Sequence, residues 1–224
     1  MKLRDSENFV VLGLFLGAVG LISALVLALV SNLTKPAIKQ AEQKTQSEAL
    51  KQLKFKPFDD TQDKCEFDGV TFIAIRNGGK KGKLVGIAAE AETDRGYAGK
   101  IKELVGFEPD GTITAVLVTE EKETPGLGKA VCERKFKKDI TNFWKPAKKD
   151  LPPNKILDQF SNRKAGDKTD WRVRKDGGDF EFRTGATVTS RAVVEMTGKA
   201  AKTFAEHRSE ILKKFGETAP EVKK

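Results

Sequence analysis

From Phe9 to Val30 the chain runs without a single charge. A helix over this run is roughly 33 Å long, which matches the hydrocarbon core of a bilayer. A cleaved leader has a shorter apolar core and a small-x-small exit. This run is longer, and it leaves through Ser31 and Asn32 with no such exit. A retained single-span anchor over residues 9–31 is therefore expected, preceded by a short polar leader, residues 1–8. Gly13, Gly17 and Gly20 recur at helical spacing and offer a face for close helix packing. Lys2 and Arg4 before the run and Lys35, Lys39 and Lys44 after it nearly cancel as orientation signals.

The remainder is polar and basic. The 224 residues carry a formal charge of +9, with 33% charged residues. Lys2 and Arg4 balance Asp5 and Glu7, so the excess lies beyond the apolar run. Its lysines and arginines are interspersed with acids, and no compact Arg-rich run with interleaved aromatics occurs. Nucleic acid is accordingly excluded as a partner, and a lipid surface or acidic protein partners fit better. Cys65 and Cys132 are the only cysteines, and their spacing leaves one bridge or two free thiols equally open. No Cys-x-x-Cys is present, so neither zinc nor an iron-sulfur cluster is signalled. The lone histidine, His207, sits in a charged stretch and reads as solvated surface.

Thr34 to Leu53 reads as a solvated helical stalk, with Thr34 as its cap, Pro36 in its first turn and Pro57 beyond its end. Residues 65–120 read as strands. Gly69–Ile75 and Lys83–Glu90 flank a turn at residues 77–82, and Gly96–Ile101 follows. Glu103–Phe107 and Thr112–Thr119 form a hairpin about Pro109-Asp110-Gly111. Phe136–Phe143 suits a short helix, and residues 144–170 a polar surface excursion. Trp171–Arg174 and Phe180–Arg183 alternate as short strands, with Phe180 and Phe182 in the core. Ala192, Val193, Met196, Ala200 and Phe204 then mark a helix over Ser190–Phe204, followed by a polar tail. The fold class is α+β: one membrane helix, then a mainly antiparallel sheet with packed helices.

Two stretches carry chemistry. In Thr184-Gly185-Ala186-Thr187-Val188-Thr189-Ser190, small residues and hydroxyls meet at a strand-to-helix junction. There a phosphate can approach the backbone and the amides of the first helical turn. On spacing alone, the same residues serve equally as ordinary helix caps. In Glu123-Thr124-Pro125-Gly126-Leu127-Gly128, Pro sets one dihedral and two Gly permit unusual ones, so a tight turn is expected. No Ser-His-Asp arrangement, Gly-x-Ser-x-Gly, Walker or Rossmann pattern occurs, so no independent catalytic site is visible.

Both stretches, with Gly96-Tyr97-Ala98-Gly99-Lys100-Ile101 before them, resemble the FMN-binding domain of the Rnf complex G subunit. That protein is related to the C subunit of sodium-pumping NADH:quinone reductase. The family often has Asp three residues before the first Thr of the acceptor motif, where this chain has Glu181. The resemblance implies FMN joined covalently through a phosphoester to Thr187, with Thr184, Gly185, Ala186 and Thr189 completing the acceptor motif. It implies that Glu123, Thr124, Gly126, Leu127 and Gly128 border the flavin, with Lys129, Arg183 and Arg191 as candidate cations near its phosphate. By the same resemblance the chain is an electron-transfer subunit of a membrane-bound, ion-translocating ferredoxin:NAD+ oxidoreductase. Its large domain would stand on the extracytoplasmic side of the cell (inner) membrane. Its partners would be the other Rnf subunits and a maturing flavin transferase. The implied division is a helical stalk over 32–56, the FMN-binding domain over 57–215 and a tail over 216–224. The quinone-reductase C subunit, a stand-alone tethered flavoprotein, and an anchored assembly protein without flavin are the alternatives.

Overall fold

The computed structural model describes residues 9–52, 63–77, 82–134 and 151–216. The turn at 78–81, the helix expected over Phe136–Phe143 and the excursion at 144–150 lie outside these residues, as do the stalk's end and the tail beyond 216. The chain divides into two compact units, residues 1–45 and 46–224.

The first unit is helical. Helix α1 runs from Phe9 to Gln52, and its Val11–Ile38 stretch is long and apolar enough to cross a bilayer. The sequence suggests a fresh helix start at Thr34, but α1 continues through Pro36. Thr34 is not a cap: its hydroxyl donates back to the Val30 carbonyl at 2.9 Å and the Ser31 carbonyl at 3.2 Å. Proline removes one intrahelical bond. The strong helix formers on its carboxyl side carry the helix on.

The second unit is an antiparallel sheet backed by a long helix. The strands are β1 (Lys64–Phe67), β2 (Val70–Asn77), β3 (Lys83–Gly96), β4 (Gly99–Phe107) and β5 (Ile113–Glu120), paired in chain order. Gly69 does not open a strand, as its neighbours suggest. Instead Asp68 (φ +50°) and Gly69 (φ +72°) form the turn between β1 and β2, as an Asp-Gly pair favours. Residues 96–101 and 103–107 do not form two strands. Gly96 ends β3, Tyr97-Ala98 turn, and β4 runs unbroken from Gly99, with a bulge at Lys102/Glu103.

Three short helices and turns follow, then α4 (Thr187–Lys214). Helices α2 (Lys129–Cys132) and α3 (Lys155–Asp158) are joined through Asn154. Its side-chain amide donates to the carbonyls of Val131 (3.0 Å) and Glu133 (2.9 Å), and its oxygen accepts the Ile156 and Leu157 amides. Residues 151–170 are therefore not a surface excursion, for Leu157 and Phe160 are fully buried. Phe160, Trp171 and Phe180 stack, with centroids 5.0–6.3 Å apart. Gly198 of α4 admits the indole of Trp171, since a Cβ there would lie 2.6 Å from it.

The expected strands at 171–174 and 180–183 are absent. Val173 and Phe180 make one isolated bridge around a 3-10 turn, Arg174–Asp176, closed by Gly177 at φ +83°. Beyond it the Glu181 backbone is satisfied by a side chain. Its amide donates to Gln159 Oε1 at 2.7 Å, and its carbonyl accepts from Gln159 Nε2 at 3.2 Å. An extended segment satisfied in this way needs no sheet partner. Phe180 is buried and Phe182 packs on the same core.

Helix α4 lies on one face of the sheet, where Phe204 stacks on Phe107 at 4.6 Å. It starts earlier and ends later than the periodicity suggests, and the expected polar tail includes buried Ile211, Leu212 and Phe215. His207 is not solvated surface: its ring stacks on Phe67 at 4.7 Å, and its side chain is 29% exposed. Cys65 and Cys132 are both buried and unbridged, and burial raises both thiol pKa values.

Glu103 is a charge-bearing residue inside this core. It is fully buried on the α4 face of β4, and its Oε1 accepts the Thr197 hydroxyl at 2.9 Å. Its Oε2 meets no polar partner. Burial pushes its carboxyl up to about 8, against the lowering effect of the Thr197 bond. A folded-state pKa above the unfolded value means the folded chain holds the extra proton. This contribution is intact below the unfolded value and is lost as pH rises towards 8. Glu103→Gln should flatten the loss of thermal stability between pH 5 and 8. In the native chain that slope is at most about 1.4 kcal/mol per pH unit. Unfolding curves at fixed ionic strength across that range check it.

Candidate functional site

Three loops separated in sequence converge beside the amino terminus of α4. They are the Tyr97-Ala98 turn, the loop Glu123–Gly128, and Thr184–Ala186. They enclose an open cavity of about 540 Å³ lined by Tyr97, Glu123, Thr124, Leu127, Gly128, Lys175 and residues 185–189.

Glu123 holds the convergence together. It is 4% exposed. Its Oε2 accepts the Thr189 hydroxyl at 2.9 Å, and its Oε1 accepts the Ala98 amide at 3.2 Å. Its own amide donates to Glu121 Oε2 at 2.7 Å. Two glycines make room for this carboxylate. A Cβ on Gly128 would collide with Oε2 and lie 2.7 Å from Thr189 Oγ1, and one on Gly96 would lie 2.7 Å from Oε1. The glycines of the motifs thus have a steric task as well as a conformational one. Gly126 (φ +78°) and Gly185 (φ +83°) supply the left-handed turns. Arg183 clasps the two loops from outside, with Nη2 donating to the Gly126 carbonyl at 3.0 Å.

The start of α4 carries no side-chain cap. Ala186 occupies the cap position, so neither Thr184 nor Thr187 serves as the N-cap. The amides of the first turn are therefore left without a side-chain acceptor, at the positive end of the helix dipole, and residues 187–189 line the cavity. The motif's hydroxyls differ in surroundings. Thr189 is fully buried and committed to Glu123, and Ser190 is buried and donates to the Ala186 carbonyl at 2.9 Å. Thr184 is exposed but outside the cavity lining, and Thr187 is half-buried within it.

Of the residues singled out from sequence, Glu123, Thr124, Leu127, Gly128, Gly185, Ala186, Thr187 and Thr189 line the cavity. Gly126 and Thr184 flank it. The candidate cations are placed otherwise. Lys129 pairs with Glu121 at 3.4 Å, and Arg191 makes a two-pronged pair with Asp176 at 2.5 and 2.6 Å. Arg183 serves as the clasp. The cation in the cavity lining is Lys175, on the 3-10 turn, which the sequence does not single out because it sits in a loop between two supposed strands. The sequence does not mark Tyr97 or Val188 as site residues either. Tyr97 (73% exposed), Leu127 (45%) and Val188 (43%) are the exposed large apolar side chains outside α1 among the described residues, and all three line this cavity. Exposed apolar groups gathered at one cleft mark a ligand surface.

The cavity fits FMN. It offers an apolar wall for a flat ring, uncapped helix amides and a lysine for a phosphate, and a reachable threonine hydroxyl at the helix start. Thr189→Val should leave the Glu123 carboxylate short of a donor and cost about 1–3 kcal/mol. Gly128→Ala should cost a similar amount by displacing the same carboxylate. The double variant should lose less than the sum, because both act through one contact. Denaturant unfolding of the four proteins tests this.

Comparison with known proteins agrees with that geometry. The FMN-binding domain family matches residues 96–202, and the RnfG N-terminal region matches residues 1–53. The G subunit of the ion-translocating oxidoreductase complex from Shewanella piezotolerans is 32% identical over 215 residues, covering 89% of this chain and 91% of that protein. The Vibrio vulnificus protein of the same name is 31% identical over 204 residues, covering 84% and 85%. The Shewanella oneidensis protein is 39% identical over 130 residues, a match that spans about half (54%) of its length and 58% of this chain. With both family regions in order and relatives aligned over most of their length, the chain belongs to the family of G subunits of ion-translocating oxidoreductase complexes.

Proposed function

We propose that this protein is the flavin-carrying electron-transfer subunit of an Rnf-type ion-translocating ferredoxin:NAD+ oxidoreductase, with FMN esterified through its phosphate to Thr187. The observation that carries the attachment is the contrast among hydroxyls: Thr187 faces the cavity at an uncapped helix terminus, while Thr189 is locked on Glu123. The match to the RnfG N-terminal region supports this complex over the quinone-reductase C subunit.

Bound FMN supplies one- and two-electron chemistry that no side chain here provides. The chain's own residues bind and orient. First-turn amides of α4 and the Lys175 ammonium suit the phosphate, because both present positive charge to an anion. Tyr97, Leu127 and Val188 suit the apolar faces of the ring. Glu123 lines the cavity with both oxygens already committed to Thr189 and Ala98. The cavity is open to the surface, so a group held there would be accessible to a partner.

In the same reading, residues 9–31 anchor the chain in the cell (inner) membrane, 32–56 form a stalk, and 57–215 form the FMN-binding domain on the extracytoplasmic side. There a covalent tether prevents loss of a cofactor that cannot be replenished from the cytosol. A flavin transferase performs the attachment. Other Rnf subunits donate and accept the electrons that couple to ion movement.

The test is coexpression with a flavin transferase, followed by denaturing electrophoresis and in-gel fluorescence. The native chain should fluoresce, and Thr187→Ala should abolish the band while leaving membrane expression intact. Undiminished fluorescence in Thr187→Ala would overturn the assignment of this hydroxyl.

A further inference from the structure

A second cluster of chemically able side chains lies near the other end of α4, about 30 Å from Thr187 along the helix axis. Asp68, Glu206 and His207 bring three potential metal-ligating atoms within 4.8 Å of one another. His207 Nε2 is 3.2 Å from Asp68 Oδ2. At that distance the two share a hydrogen bond, and an ion taking the place of the shared proton would need little movement, since two ligands around one tetrahedral zinc-like ion stand about 3.3 Å apart.

The imidazole is stacked on an aromatic ring and faces a second carboxylate. Its ring stacks on Phe67 at 4.7 Å, within 20° of parallel. Its Nδ1 has no hydrogen-bond partner, but Glu210 Oε1 stands 3.6 Å away. A metal-ligating histidine donates its other ring N–H to such a carboxylate, and Glu210 would have to close in by a few tenths of an ångström to accept it. Asp68 is presented by the tight turn between β1 and β2, with its backbone in the left-handed region at φ +50°. The ligands thus come from two well-packed elements.

Three lysines neighbour the cluster. Lys202 reaches Glu206 only at 3.9 Å, from a largely exposed side chain. Lys214 sits over the far partner ring, Phe67, at 4.6 Å. Lys199 lies beside Gly69. The two thiols are buried with raised pKa values and do not compete as ligands.

We propose that Asp68, Glu206 and His207 form a site for one borderline divalent transition ion, Zn2+ being the best fit, with Glu210 as the orienting partner of the imidazole. One nitrogen and two carboxylate oxygens, with a position left for water, suit Zn2+ better than Mg2+, which demands an octahedral oxygen shell. The ion pins the β1–β2 turn to α4, the helix that begins at Thr187. The site is independent of flavin attachment.

His207 is the chain's only histidine, so its loss reads without ambiguity. The test is calorimetric titration of the untagged, chelator-stripped full-length chain in detergent with Zn2+, and separately with Mg2+. The expected result is one Zn2+ per chain. A hundredfold excess over Kd should raise Tm by about 5–10 °C. Glu206→Gln and His207→Ala should each weaken binding tenfold or more, and Glu210→Gln by about tenfold. Glu206→Gln alters a half-exposed side chain and keeps the fold, so it serves if His207→Ala unfolds. Absence of saturable Zn2+ binding, equal affinity for Mg2+, or Zn2+ affinity unchanged in Glu206→Gln would overturn the proposal.

Discussion

One buried carboxylate organises the end of this domain that holds the cavity. Glu123 has two oxygens and gives one to the first turn of α4 and the other to the turn joining β3 to β4. Burying a carboxylate is costly unless its lone pairs are met. The fold therefore cannot move one of these loops without stranding the others. Gly96 and Gly128 are required because the carboxylate occupies the space a side chain would fill. The cavity around Thr187 is a consequence of that packing.

A second buried acid marks the same helix further along. Glu103 holds Thr197 much as Glu123 holds Thr189, so α4 is joined to the sheet side by two acid-threonine contacts. They differ in what else the acid meets. Glu123 finds further donors, whereas Glu103 keeps one oxygen unpartnered in an apolar setting. Beyond Thr197, Trp171 against Gly198 and Phe204 on Phe107 fix the helix laterally. A helix held at so many points presents its terminal amides and the hydroxyls of its first turn in a fixed position.

Much of this is legible in the sequence. The long apolar helix follows from an uncharged run, and the antiparallel sheet from β-rich segments separated by turn residues. The two motifs mark a candidate site, and the structure brings most of their residues to one cavity. What is not legible has physical reasons. Phe180–Arg183 alternates like a strand, but its backbone bonds are taken by the Gln159 side chain, which no local pattern reveals. Residues 151–170 look polar, yet three large apolar residues among them, Ile156, Leu157 and Phe160, fill the core. Pro36 signals a helix start, but neighbouring helix formers outweigh it. Lys175 reaches the cavity only because a 3-10 turn folds back towards α4. The Asp68-Gly69 pair is a hairpin signal that the strand-rich residues after it obscure.

The claim on which the functional account turns is chemical: the cofactor is joined to one side chain among four neighbouring hydroxyls. Tryptic cleavage after Arg183 and Arg191 releases Thr184–Arg191, which holds all four. Fragmentation mass spectrometry of that peptide, from chain matured with a flavin transferase, locates any added FMN by residue. The account predicts the increment on Thr187. An unmodified peptide, or an increment on Thr184, Thr189 or Ser190, would contradict it.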